Sequence, residues 1–115
     1  MTSDATYVFM VSMDVAPDKE ALFNEVYDQE HVPNLLEVPG VLRVTRARSE
    51  AFAMTIGGER KEVPAASPRY TAIYELASAE VLASAAWAQA VEAGRWPGEV
   101  RPFTTNRRHA LAKVI

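Results

Sequence analysis

Four residues within five positions carry most of the chemistry this chain can offer: Tyr27, Asp28, Glu30 and His31. An imidazole titrates near neutral pH, so His31 is suited to take a proton from a bound molecule and to return it. Tyr27 lies four residues earlier, one helical turn away on the same side, where its phenol would hydrogen-bond a developing oxyanion or the imidazole itself. Asp28, three residues before His31, is spaced to orient the ring. The competing reading is structural: a cationic histidine is favoured at a helix C-terminus, and Tyr27 then belongs to the core. Glu30 continues the apolar stripe of the same helix, and a carboxylate there reads as the ion-pair partner of an arginine such as Arg46 or Arg107. Adjacent residues point apart on a helix, so Glu30 and His31 do not form a dyad.

Arg46 and Arg107 are also the arginines that would anchor a ligand carboxylate through two parallel hydrogen bonds, against the alternative of a solvated rim. Phe9, Tyr74 and Trp96 are candidates to line an apolar pocket, although aromatics at strand and helix spacing most often form core. Trp96 stands apart because it falls in a turn, where it would close a pocket. His109 reads as a surface or interface residue.

The rest of the composition mainly excludes. With 115 residues, 49% of them hydrophobic and 23% charged, the chain is expected to form one folded domain over 1–115. Its apolar runs fall well short of the roughly 20 residues that span a membrane. A net charge of −3 offers no basic field for nucleic acid, despite local arginine clusters. The absence of cysteine rules out disulfides, thiolate catalysis and cysteine-held metals, and two histidines make no typical zinc site. No metal and no cofactor is expected. The acid in Met1-Thr2-Ser3-Asp4 argues against an export signal, which points to the cytoplasm.

The elements that must position these groups follow from periodicity. Residues 5–15 alternate with apolar side chains on both faces, which predicts a strand covered on both sides and gives a first hint of a partner subunit. Ala16-Pro17-Asp18 opens a helix that carries Leu22, Phe23, Val26 and Tyr27 on one stripe and ends near His31, because Pro33 disfavours a helical Val32. Val41 to Phe52 reads as a strand, 53–68 as a long hairpin connection, and Arg69 to Ala77 as the returning strand. Ser78 caps a second helix that runs to Ala93 with Gly94 beyond it, 95–98 turns, and Phe103 to Ile115 is a last strand. The order β-α-β-β-α-β is the split βαβ, ferredoxin-like unit, an α+β antiparallel sheet with two helices on one face.

Tyr27-Asp28-x-Glu30-His31-Val32-Pro33, followed by Val38-Pro39-Gly40-Val41, Tyr70-x-Ala72-x-Tyr74-Glu75-Leu76 and a basic last strand from Arg107, resembles the dimeric α+β barrel superfamily. The likeness is greatest to small EthD-like proteins and covers nearly the whole chain. It implies a homodimer in which two sheets pack face to face, with an apolar pocket between helices and sheet. Superfamily members include cofactor-free monooxygenases, cyclases, isomerases, haem-degrading enzymes and proteins without known activity, so fold alone does not choose among them. Two readings stay open beside haem handling, for which His31 would be the candidate iron ligand although one histidine is not a haem signature. One is a cofactor-independent enzyme acting on a small apolar, oxygen-bearing molecule, with His31 as acid or base. The other is a non-catalytic homodimer that binds a small hydrophobic ligand or a protein partner.

Overall fold

A computed structural model describes residues 6–115; the readings at 1–5, the missing export signal and the first residue of the first strand, lie outside them. Strand β1 (Tyr7–Val15) is the hub. It pairs antiparallel with β5 (Tyr70–Leu76) on one side and β6 (Thr104–Lys113) on the other, and β2 (Val41–Arg48) pairs with β5, giving the order β2-β5-β1-β6. Strict alternation fixes the faces. Tyr7, Phe9, Val11 and Met13 oppose Leu76, Tyr74, Ala72 and Tyr70, and this face meets the helices. The reverse face carries Val8, Met10 and Ser12 opposite Glu75, Ile73 and Thr71. It is flanked by Thr45 and Ala47 on β2 and by Ala110 and Ala112 on β6, all exposed, and no helix among the described residues covers it.

Two segments depart from the expected pattern for local reasons. The first helix does not stop before Pro33. Helix α1 (Glu20–Val26) passes through a wide turn over Tyr27–His31, in which the Val32 N–H reaches the Tyr27 carbonyl, and continues as α2 (Val32–Leu36). A proline lacks its N–H and crowds the carbonyl four residues back, and widening the preceding turn accommodates both. The expected long connection over 53–68 contains a hairpin instead. β3 (Phe52–Ile56) pairs with β4 (Glu59–Val63) across Gly57-Gly58, whose φ values of 61° and 82° suit a two-residue turn that only glycine enters freely. β2 accordingly ends at Arg48, short of Phe52.

The second helix is also divided. The Ser78 hydroxyl accepts from the Glu80 N–H as predicted, but it opens a tight turn over Ala79–Ala83, and Ser84 re-caps α3 (Ala85–Ala90) through the Trp87 N–H. The segment after it is helical too: Trp96–Val100 forms a second wide turn, with Trp96 and Val100 buried. Among the described residues, no helix is long and apolar enough to cross a membrane.

Candidate functional site

The wide turn puts Tyr27 and His31, the first and last of its five residues, edge to face with ring centroids 5.0 Å apart. Both are buried, at 3% and 5% exposure. Trp96 closes over them, stacked on the imidazole at 4.3 Å and 18° and edge-on to Tyr27. The turn after α3 thus brings its tryptophan against Tyr27 and His31. From the sheet side, Phe9 stacks on Tyr74 and on His109, and Trp87 of α3 stands edge-on to both Phe9 and Tyr74. These two aromatic walls bound a cavity of about 400 Å³ that also reaches Arg101 and Arg107. That is within the usual size range of small-molecule sites.

Among the described residues, His31 carries the one buried side-chain polar atom without a hydrogen-bond partner. Its Nδ1 is sealed from solvent and has no hydrogen-bond partner among the described residues, which leaves Nε2 as the nitrogen a ligand can reach. Burial, and then the guanidiniums of Arg101 and Arg107, lower its pKa from 6.5 to about 4, so the ring is neutral at physiological pH. This is opposite to the cationic helix cap that the sequence also allowed.

Several candidates sit elsewhere than expected. The Tyr27 hydroxyl pairs with the Tyr74 hydroxyl at 3.0 Å, not with His31, and burial raises the pKa of both phenols. Asp28 does not orient the imidazole. It takes Nη1 of Arg46 at 2.6 Å, while Nη2 donates to Asn24 at 2.7 Å and the guanidinium lies 4.5 Å from the Tyr27 ring centre. Arg46 is thereby committed to the outer side of α1 and does not line the cavity. Glu30 forms an ion pair, as read, but with Arg95: it accepts from both the backbone N–H and Nε, and these bonds hold its pKa below the usual carboxylate value. The anchor is tight enough that a Cβ on Gly94, at φ 68°, would meet Glu30 Oε1 at 2.5 Å.

His109 and Arg101 are the members that sequence reasoning missed. Counting alternation back from Leu111, opposite Phe9, places His109 on the helix-facing side of β6, and this was the available signal. Arg101 falls in the turn after Trp96, where no periodicity applies; it donates to both Glu92 carboxylate oxygens and to the Val91 carbonyl.

No protein-family model matches the sequence, and no curated protein does. Solved structures do. A substituted form of MhuD, holding two manganese protoporphyrin IX molecules per active site, superposes with a TM-score of 0.62 at 17% identity, over 95% of this chain and 94% of that one. The haem-degrader MhuD from Mycobacterium tuberculosis, with two haems in its active site, gives 0.60 at 17% identity over 95% of each chain. An EthD family protein from Bacillus halodurans gives 0.57 at 13% identity, over 95% of this chain and 99% of that one. With the sheet order, the helix-covered face and these superpositions in agreement, the chain has the ferredoxin-like α+β fold that these structures share.

Proposed function

We propose that this protein is a homodimeric, cofactor-independent enzyme that binds a flat, apolar, oxygen-bearing molecule between its two aromatic walls and transfers a proton at His31. The observation that carries the reading is the state of that imidazole: buried, neutral, unbonded at Nδ1 and bordering a cavity of about 400 Å³. An unpaired buried polar atom costs about 1–3 kcal/mol, an expense with no structural return here. A neutral imidazole takes a proton from an acidic C–H or O–H at Nε2. The enolate or phenolate so formed is stabilised by the nearby guanidiniums, and its charge in turn stabilises the new imidazolium.

The haem named in the MhuD structures does not suit this ring. Metal-bound histidines almost always donate their second N–H to a carbonyl, carboxylate or water, and Nδ1 of His31 has no such partner.

Dimerisation is supported by the reverse face of the sheet, where Val8, Met10 and Ile73 form an apolar centre among small residues with no helix over it. The β3–β4 hairpin adds a second uncovered apolar face, with Phe52, Met54 and Ile56 exposed. A lone two-stranded ribbon is marginal in water, so both surfaces are ones a partner would cover.

The test is proton exchange on a C–H acid that fits the cavity. β-Tetralone in deuterium oxide, followed by proton NMR, exchanges the hydrogens between its ring and its carbonyl. The protein should accelerate this exchange, and His31→Gln should remove about a hundredfold or more of the acceleration while β-tetralone still quenches tryptophan fluorescence. Equal exchange in both proteins, each folded and binding, would leave the non-catalytic binder as the better reading.

A further inference from the structure

The cavity's charge says what it is built to hold. Its lining includes His31, Arg101, Arg107 and His109 and, among the described residues, no aspartate or glutamate, although acids outnumber bases 15 to 12 in the chain. Of the chain's nine arginines, Arg43, Arg46, Arg60, Arg69, Arg95 and Arg101 are paired with a carboxylate. Arg107 has no ion pair or hydrogen bond among the described residues, and of the three unpaired arginines it alone borders this cavity. Its field is felt there, since it contributes to lowering the pKa of both His31 and His109.

The backbone beneath Arg107 is fixed by a dedicated arrangement. Between the pairs Ser12–Arg108 and Asp14–Thr105, β6 holds one residue more than β1, which makes a bulge at Asn106-Arg107. Asn106 adopts φ 55°, a left-handed conformation that non-glycine residues enter at a cost and that asparagine tolerates best. Its side chain donates to Asp14 Oδ2 at 2.8 Å, and Asp14 Oδ1 accepts from the Arg69 N–H at 2.7 Å. The Asp14 carboxylate opposite this bulge is thus occupied by an amide and a backbone N–H, and no carboxylate among the described residues pairs with the Arg107 guanidinium.

We infer that the molecule bound in this cavity is a planar aromatic anion, a carboxylate or phenolate whose charged end meets Arg107 while its rings lie between Trp96 and Phe9. The assignment rests on the proposed ligand-binding role of the same cavity and adds the charge of the ligand. A guanidinium at a cavity edge forms paired hydrogen bonds with a carboxylate that a neutral isostere of the same shape does not reproduce.

Naphthoate and naphthamide, equal in shape and different in charge, separate the possibilities. Both tryptophans of the chain, Trp87 and Trp96, line the cavity, so intrinsic fluorescence reports binding of either probe to the intact protein. Naphthoate should bind at least tenfold more tightly than naphthamide. Arg107→Gln should abolish that ratio by weakening naphthoate alone, Arg107→Lys should restore part of it, and raising the salt concentration should reduce it. Equal affinities in the unmodified protein, or a ratio that survives in Arg107→Gln, overturn the anionic assignment and leave a neutral ligand in the same cavity. Binding of neither probe to folded protein overturns the cavity reading as well. An Arg107→Gln protein that becomes monomeric instead assigns the guanidinium to the partner subunit.

Discussion

Replacing His31 with phenylalanine should change how stability depends on pH, by an amount that follows from the site. In the folded chain the imidazole has a pKa of about 4, against the ordinary 6.5 it regains on unfolding. The unfolded state therefore binds the proton more readily, and stability falls as pH drops through 6.5, reaching its full loss below about 4. The complete shift is worth about 3 kcal/mol, and at pH 5, where the unfolded ring is mostly charged and the folded ring mostly neutral, about 2 kcal/mol of it has been lost. Phenylalanine keeps an aromatic ring against Trp96 and forfeits no Nδ1 hydrogen bond, because none exists. Urea unfolding followed by far-ultraviolet circular dichroism at pH 7.5 and pH 5, at one protomer concentration, gives the comparison. His109, whose pKa is lowered in the same direction, and the carboxylates of Asp14 and Glu30 are common to both proteins and cancel in the difference. An equal loss between the two pH values in both proteins, or an NMR titration of His31 near 6.5, would refute the neutral buried imidazole and the proton-transfer role with it.

Tyr27→Phe and Tyr74→Phe should each cost about 1–2 kcal/mol, because each strands a buried hydroxyl, whereas the double variant should cost no more than either alone. Urea midpoints for the three variants test this, and simple additivity would mean the two phenols do not share a bond. Ile73→Lys places a charge at the centre of the uncovered sheet face and should halve the mass measured by light scattering, with far-ultraviolet circular dichroism unchanged. An unchanged mass would exclude this face as the dimer contact.

The elements that were legible in the sequence are those whose cause is local. The alternation of β1 groups Tyr7, Phe9, Val11 and Met13 on one face, and all four pair with the Tyr70, Ala72, Tyr74 and Leu76 face that the same rule gives for β5. The Ser78 cap was equally readable. The misreadings come from compensations between neighbours. Pro33 signals a helix stop by itself, and only the wide turn at Tyr27–His31, which costs little where its residues pack against Trp96 and Phe23, lets the helix continue. Gly57-Gly58 is a standard hairpin signal, masked by flanking strands whose side chains are nearly all exposed and so lack a core-facing pattern. The Tyr27–Tyr74 pair joins residues 47 positions apart, and no spacing rule within the helix reaches that far.

Arg46 and Arg107 show where sequence reasoning must yield to topology. Each follows a run of strand residues, each faces the helical layer, and both were equal candidates to hold an anion. Sheet order separates them, since β2 and β6 are opposite edges of β2-β5-β1-β6. On the β2 edge the polar side of α1 lies overhead, and Asp28 and Asn24 take the Arg46 guanidinium before any ligand can. On the β6 edge the covering segments are α3 and the turn from Trp96, which bring tryptophans and Arg101 to the cavity and no acid. Asp14, on the neighbouring strand across the bulge, is already bonded to Asn106 and to the Arg69 backbone. An unneutralised guanidinium in a chain with surplus acid is thus a consequence of which edge strand carries it, and it marks the end of the cavity where a ligand's negative charge is proposed to sit.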